Sequence, residues 1–317
     1  MNKLQKIVVG IDFEHDESLT EGSSVAARQA LWLAARTGAQ VEFIHSTYRD
    51  PEEPGPPRAA PGDAARRQIE DLVAGSGSNV TIRGLALTEA KPWFALIQRA
   101  LANEADLVVV AKRNHSRRTD RRLGSVSMKL VRKCPVPVWV VKPEHPVVHQ
   151  SVLAATDLSL VGDLATEYAA FVADADQCKL CVVHAWQVPM ELQLSAARIG
   201  DDETARQKLA ISRSALEHIR GVPSIASLGD RAEILLACDT PSSAILQLAE
   251  REQPDLVVMG TISRGGLAGL LVGNTAEKLL YQLDCSILTV KPEDFVCPLA
   301  REDVAMEAVP LLALQAE

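Results

Sequence analysis

The sequence predicts an α/β protein with two tandem doubly wound domains, each built on a parallel sheet that helices cover on both faces. Two observations predict this fold. Residues 92–144 and 241–293 align without gaps at a constant offset of 149, so the chain contains an internal repeat. Within each copy, strand-like apolar runs alternate with helical patterns, which is typical of right-handed βαβ units.

The internal repeat defines the domain organisation. An earlier match, Asp12 with Asp157, has an offset of 145, so the loops between the matched segments differ in length by about four residues. We predict a first domain at residues 1–146, a second at 147–293 and a C-terminal extension at 294–317, forming a short helix or an extended strap. The pairs at an offset of 149 include Pro92 with Pro241, Gln98 with Gln247, Asp106 with Asp255 and Gly124 with Gly273.

The first copy shows the alternation most clearly. Its apolar runs predict strands at Lys6–Ile11, Gln40–His45, Asn79–Leu87, Asp106–Ala111 and Val136–Val141. Its helical patterns predict helices at Ser23–Arg36, Ala59–Ala74, Pro92–Ala102 and Gly124–Lys133. The third helix has an apolar stripe of helical period, and a proline in its first turn is favourable.

The last predicted strand of the first copy differs from the others. It is preceded by Pro135 and contains Pro137, and proline cannot donate to a strand ladder. We therefore expect an edge strand, or its beginning. Because an open edge invites pairing, the two copies in one chain could pair edge to edge.

Composition excludes several classes of protein. The net charge of −8 argues against a general nucleic-acid binder, since duplex affinity depends on neutralising phosphates. No apolar segment is long enough to predict a membrane span, and the N-terminal residues do not resemble a signal peptide, which predicts a cytoplasmic protein. Six cysteines, several inside apolar strands, are expected to be buried thiols. His45 and His184, at matching strand ends, are expected to make structural hydrogen bonds.

The predicted ligand crevices lie beyond the carboxyl ends of the strands, where doubly wound sheets bind ligands. Asp12 and Asp157 end the first strand of each copy, where a carboxylate could accept hydrogen bonds from a ribose or a base amine. In the second copy, Gly260 ends the fourth strand and Gly273 opens the next helix. Backbone N–H groups at such a helix start form an anion site.

The spacing from Gly260 through Ser263 to Gly273 and Asn274 is too long for a Walker loop. It resembles the universal stress protein family, whose ATP-binding members carry G-x2-G-x9-G-(S/T) at this place. The resemblance covers both copies and implies adenine nucleotide alpha hydrolase-like domains. The GNTAE ending at residues 273–277 is most similar to the two-domain E type found in bacteria.

The resemblance implies two phosphate sites of unequal quality. In the second copy, Ser263 replaces a glycine and Asn274 replaces a hydroxyl residue, although Thr275 or the Asn274 amide could substitute. In the first copy the helix-start pair is intact but both preceding glycines are lost, so we expect the weaker ATP site there. The stronger site comprises Asp157, Gly260, Ser263, Arg264, Gly273, Asn274 and Thr275, and the weaker one Asp12, Ala111, Asn114, His115, Gly124 and Ser125.

The loops around these sites leave alternatives open. The first copy carries a basic loop from Lys112 to Arg122, which is either an anion clamp or a solvated loop paired with acidic neighbours. The second copy carries an apolar loop after Trp186, which either shields a ligand or packs between domains. Motifs of hydrolases and metal sites are lacking, so the sequence indicates no catalytic centre.

The resemblance implies a non-enzymatic cytoplasmic protein that supports survival under starvation, oxidative or DNA-damaging stress. It would bind ATP or a related phosphate ligand, with Mg²⁺ accompanying the nucleotide, and act through protein partners that the sequence does not identify. The two domains would form an intramolecular pseudo-dimer, with a homodimer as a further option. The alternatives are a scaffold with vestigial nucleotide sites, a slow ATPase, and a binder of a phosphate ligand with an apolar tail.

Overall fold

The fold is α/β, as predicted. The computed structural model describes residues 4–14, 18–49, 61–77, 80–112, 124–187, 201–261, 272–309 and 311. The chain divides into two compact units, one with residues 148–285 and one with residues 2–147 together with 286–317. We call them the C-terminal unit and the N-terminal unit. The predicted domain boundaries stay a prediction.

The N-terminal unit contains a sheet in the order β11-β3-β2-β1-β4-β5-β10. Strands β1 to β5 are parallel, whereas β10 and β11 are antiparallel to their neighbours β5 and β3. The elements are β1 (Lys6–Ile11), α1 (Glu21–Thr37), β2 (Gln40–Ser46), α2 (Asp63–Gly75), β3 (Thr81–Thr88), α3 (Pro92–Asn103), β4 (Leu107–Ala111), α4 (Ser125–Lys133), β5 (Val138–Val141), β10 (Ser286–Val290) and β11 (Glu307–Val309).

The C-terminal unit contains parallel strands in the order β9-β6-β7-β8. A short 3₁₀ turn at Gly229–Arg231 leads into β8. The elements are β6 (Ser151–Thr156), α5 (Leu160–Ala175), β7 (Lys179–Trp186), α6 (Asp201–Arg220), α7 (Pro223–Ala226), β8 (Ala232–Cys238), α8 (Pro241–Glu252), β9 (Leu256–Gly260) and α9 (Asn274–Gln282).

Most predicted elements of the first copy differ from the observed ones by no more than two residues at each end. The predicted start of α2 at Ala59 lies outside the described residues, and the observed helix begins later, at Asp63, after Pro61 and Gly62. Strand β5 begins at Val138 because Pro137 cannot donate to the ladder. The central strands are almost wholly buried because helices cover both sheet faces.

The edge-to-edge pairing of the two copies is confirmed by β5 and β10, their last strands. They pair antiparallel, with Trp139 opposite Leu288. Two side-chain bonds support the pair: the Thr289 hydroxyl donates to the Val138 carbonyl at 3.2 Å, and the Lys142 N–H donates to the Ser286 hydroxyl at 3.0 Å. The last strand of the second copy therefore completes the sheet of the N-terminal unit.

The C-terminal extension continues from β10 as an extended strap, one of the two predicted forms. We call residues 291–309 the C-terminal strap. Its strand β11 pairs antiparallel with the edge strand β3, with Val309 opposite Leu85. The buried Gln98 amide of α3 makes two hydrogen bonds to the strap backbone. It donates to the Ala300 carbonyl at 2.8 Å and accepts from the Glu302 N–H at 2.9 Å. The strap thus covers an otherwise open sheet edge.

Candidate functional site

Each unit has a crevice at the carboxyl ends of its strands, as predicted for this fold. The first crevice, in the N-terminal unit, has a volume of about 660 Å³, and the second, in the C-terminal unit, about 260 Å³. Residues that line the first crevice include Asp12, Ser23, Leu96, Lys112, Gly124 and Ser127. Residues that line the second include Asp157, Gly162, Thr261, Gly273, Asn274 and Thr275.

Both crevices receive the N-terminus of a nine-residue helix that a glycine precedes. Gly124 before α4 and Gly273 before α9 have extended backbone, and among the described residues no side chain caps either helix. The first N–H groups of an α-helix have no partner within the helix. Together with the positive end of the helix dipole, these groups suit an anion.

The carboxylate of Asp12 lies at the end of β1 and is held by backbone contacts. The backbone N–H of Asp12 donates to the Ser23 hydroxyl of α1 at 2.7 Å, and the carboxylate Oδ1 accepts from the Phe13 N–H at 3.0 Å. The side chain is 39% exposed, and His45 Nδ1 lies 3.7 Å from Oδ1. The carboxylate therefore remains accessible to a ligand at the mouth of the first crevice.

Asp157 occupies the matching place in the second crevice but is used differently. Its Oδ1 accepts hydrogen bonds from both the N–H and the hydroxyl of Ser159, the first of them at 3.1 Å. This arrangement closes an Asx turn that leads into α5. One carboxylate oxygen of Asp157 is thus bonded within its own turn.

The predicted structural role of the two matched histidines is confirmed. His45 Nδ1 lies 3.2 Å from the Ile11 carbonyl oxygen, and His184 Nδ1 lies 2.9 Å from that of Thr156. Because a carbonyl only accepts, Nδ1 carries the proton in each ring. Each histidine ties the end of the second strand of its copy to the end of the first.

The glycine that ends β9 is required by packing. A Cβ at Gly260 would lie 2.8 Å from Val161 Cγ1, on the second residue of α5. In the N-terminal unit the sizes are exchanged: Ala111 ends β4, and the second residue of α1 is Gly22, where a Cβ would lie 2.9 Å from the Ala111 Cβ. The alanine in the first copy therefore follows from the helix that faces it.

Lys112 is not among the residues predicted for either phosphate site. Its sequence neighbours place it in the basic loop, but in the structure it is only 7% exposed and lines the first crevice. Its N–H donates to the Val141 carbonyl at 2.7 Å, which extends the pairing of β4 with β5 by one residue. The available signal was a lysine directly after a buried strand. Its counterpart in the second crevice is the buried Thr261.

The structure brings together the described members of each predicted site. In the second crevice these are Asp157, Gly260, Gly273, Asn274 and Thr275. In the first they are Asp12, Ala111 and Gly124, whereas Ser125 begins α4 with an exposed side chain and the next two residues line the cavity. The remaining predicted members lie outside the described residues, namely Asn114, His115, Ser263 and Arg264, as do residues 113–123 of the basic loop and 188–200 of the apolar loop.

Two observations concern the described residues only. None of their helices is long and apolar enough to cross a membrane. No group of three or more His, Cys, Asp or Glu side chains among them is placed to hold a metal ion.

Comparison with known proteins identifies relatives of the whole chain. The model of the Universal stress protein family matches residues 3–142 and 149–291. Universal stress protein E of Escherichia coli strain K12 is 24% identical over 327 residues, covering 96% of this chain and 99% of that protein. The Salmonella typhi protein of the same name is 26% identical over 328 residues, with 96% and 99% coverage.

Solved structures resemble the fold. A protein of Pseudomonas aeruginosa PAO1, described as functionally unknown, has a TM-score of 0.68 at 21% identity, over 92% of this chain and 94% of that chain. A universal stress protein of Archaeoglobus fulgidus has a TM-score of 0.59 at 16% identity, over 92% of this chain and 99% of that chain. At these identities the likeness shows the fold alone.

Proposed function

Because the chain belongs to the universal stress protein family, we propose that it supports survival under stress by binding ATP or a related phosphate-containing ligand. In this proposal the protein is cytoplasmic and acts through binding and partner interactions. Starvation, oxidative damage and DNA damage are the conditions that the family resemblance implies. Ligand binding would shift the protein towards the conformation that its partners bind.

The observation that carries the proposal is the uncapped, glycine-preceded N-terminus of α4 in the first crevice. The first amides of α4, which no described side chain caps, suit a phosphate. The carboxylate of Asp12 lies on the same crevice and suits ribose hydroxyls or a base amine. The apolar side chains of Ile44, Leu96 and Val110 give a nonpolar surface for a base.

We propose the first crevice as the principal site, although the sequence ranks the second copy higher. Small-molecule pockets have volumes of about 300 to 1,000 Å³, and the first crevice, at about 660 Å³, falls within this range. The second crevice, at about 260 Å³, falls below it. The loss of glycine at Ala111 does not weigh against the first crevice, since Gly22 makes room for the alanine methyl.

The proposed site includes the basic residue Lys112, which is 7% exposed and lines the crevice. In this proposal Mg²⁺ enters together with the nucleotide. Aspartate and glutamate oxygens such as those of Asp12 and Glu14, which line the crevice, are ligands that this ion accepts.

Calorimetric titration with ATP and AMP tests the proposal, using Gly124→Asp and Gly273→Asp as matched variants. Aspartate is a good N-cap, so each change supports its helix while placing a negative charge at the anion site. We expect Gly124→Asp to weaken binding at least tenfold and Gly273→Asp to retain the wild-type affinity. Equal affinity in all three proteins would contradict the assignment, and no heat at millimolar nucleotide would contradict nucleotide binding.

A second candidate function, an interaction scaffold with a vestigial site, is favoured by the C-terminal unit. Its crevice is small, and one Asp157 oxygen is bonded within its own turn. The slow ATPase and the ligand with an apolar tail stay predictions. Phosphate release above a Gly124→Asp control tests the slow ATPase. Native mass spectrometry of the purified protein tests for a bound ligand with an apolar tail. Protein partners and a homodimer remain part of the proposal.

A further inference from the structure

A buried lysine holds the C-terminal strap to the end of α4. Lys291 is 5% exposed, and its Nζ donates to the Val131 carbonyl at 2.6 Å and to the Arg132 carbonyl at 3.2 Å. These are among the last carbonyls of α4, which have no partner within the helix. The same Nζ lies 4.2 Å from the centre of the Phe295 ring, so the cation is held between helix and strap.

Two thiols lie beside this cation. Cys134, the C-cap residue of α4, is wholly buried, and Cys297 on the strap is partly exposed. The Cys297 thiol donates to the Lys133 carbonyl at 3.3 Å. A peptide oxygen lies roughly 3 Å from the next Cα, which places Cys297 Sγ within roughly 6 Å of the Cys134 Cα. Both thiols interact electrostatically with Lys291.

We propose that Cys134 and Cys297 are a peroxide-responsive pair whose disulfide fixes the C-terminal strap to the end of α4. The oxidant belongs to the hydroperoxide class, with hydrogen peroxide as its simplest member. Lys291, which interacts electrostatically with both thiols, transfers the proton that disulfide formation requires. The bond would link residues 163 positions apart in the chain.

The positions of the two thiols assign their order of reaction. The partly exposed Cys297 meets the oxidant first. Its thiol releases a proton, the thiolate attacks one peroxide oxygen and the O–O bond breaks, and the hydroxide that leaves takes up that proton to form water. Cys297 is then a sulfenic acid. The Cys134 thiolate attacks its sulfur, the S–S bond forms, and the S–O bond breaks to release hydroxide. In sum, two thiols are oxidised and one hydrogen peroxide is reduced to two waters.

The environment of the pair supports these roles. Burial raises the pKa of Cys134 to about 12, so this thiol needs a base before it can attack. Burial lowers the pKa of Lys291 to about 8, so a neutral amine is accessible near physiological pH. The amine can take the Cys134 proton and return it to the departing hydroxide as water. The proton balance therefore closes within the cluster.

The other described cysteines have less suitable surroundings. Cys178 and Cys181 are three residues apart around the start of β7, and residues separated by an odd number along a strand point to opposite faces. Cys285 is buried and lies in the C-terminal unit. Cys238 is exposed at the end of β8, which makes it a matched control for simple surface oxidation.

Treatment of the full chain with a small excess of hydrogen peroxide, followed by thiol blocking and peptide mapping, tests the proposal. We expect the Cys134 and Cys297 peptides to be joined with the loss of two hydrogens, and dithiothreitol to separate them. The link should be lost in Cys297→Ser and in Cys134→Ala but kept in Cys238→Ser. A stable oxidised Cys297 beside a free Cys134, or an oxygen-containing link to Lys291, would overturn the proposal.

Amide hydrogen exchange supplies a readout that does not depend on a substitution at buried Cys134. Oxidation of the wild-type protein should slow exchange at residues 293–302 by at least fivefold, because the disulfide limits opening of the strap. Cys297→Ser should show no such change after the same treatment. Unchanged exchange in the oxidised wild type would overturn the fixing role of the disulfide.

Discussion

The Cγ1 atom of Val161 lies 2.8 Å from the position that a Cβ on Gly260 would take. The mirrored pair in the N-terminal unit has its glycine on the helix, at Gly22, and its larger residue at the strand end, at Ala111. Both arrangements keep helix and strand close beside the crevice. The glycine of this helix–strand contact can therefore lie on either element without loss of the crevice.

Substitutions at Gly260 and Val161 should have coupled, non-additive effects on the free energy of unfolding. Gly260→Ala should lower the free energy of unfolding by about 1 to 3 kcal/mol, because the new methyl overlaps the Val161 side chain. Val161→Ala in the same chain removes Cγ1 and should recover part of that loss. Urea denaturation of the two single variants and the double variant gives the coupling free energy.

The mirrored pair provides the control for this cycle. Gly22→Ala should destabilise the N-terminal unit in the same way, and Ala111→Gly should relieve it, since the two Cβ positions would be 2.9 Å apart. Independent, additive effects in both cycles would show that these contacts do not explain the glycine positions.

The attachment of the C-terminal strap should depend on Gln98 far more than on Gln247, its counterpart in the second copy. Gln98 is 2% exposed and bonds to Ala300 and Glu302, so Gln98→Ala leaves two strap backbone groups without this partner. We expect a loss of about 1 to 3 kcal/mol and faster amide exchange in β11. Gln247→Ala is the matched control, because exposed Gln247 contacts only side chains of its own neighbourhood among the described residues. It should change stability by less than about 0.5 kcal/mol. Equal effects of the two variants would refute the role of Gln98 in holding the strap.

Buried Lys291 should make stability increase with pH above neutrality. Burial lowers its pKa from 10.5 to about 8, so between these values the unfolded state binds more protons, and stability rises with pH. Relative to Lys291→Met, the wild-type free energy of unfolding should therefore increase by about 2 kcal/mol from pH 7.5 to 9.5. Denaturation curves of both proteins at the two pH values measure the difference. A constant difference would contradict a depressed pKa.

The sequence predicted the fold because its signals are local or repeated. The constant offset identified two copies, and the apolar periods located each element of the first copy. The prolines before β5 indicated an edge, and β10 pairs with that edge. The crevices followed from the rule that ligands bind at the carboxyl ends of parallel strands.

Features that depend on distant contacts were not predictable. The docking of β11 on β3 involves three residues, which is too short for a periodic pattern. Val161 and Gly260 are far apart in sequence, so the packing reason for the glycine became visible only in the fold. The sequence left open whether the loop that begins at Lys112 is an anion clamp or a solvated loop, and only the structure shows this lysine buried on the crevice wall.

The composition of the N-terminal unit also affects how the protein is made. Residues 2–147 emerge from the ribosome before residues 286–317, although both segments belong to the same unit. While translation proceeds, the edges of β3 and β5 lack the strands β11 and β10 that pair with them in the finished fold. Newly made chains are thus exposed to mispairing with one another until β10 and β11 have been synthesised. A stop codon that removes the strap would prolong that exposure at β3.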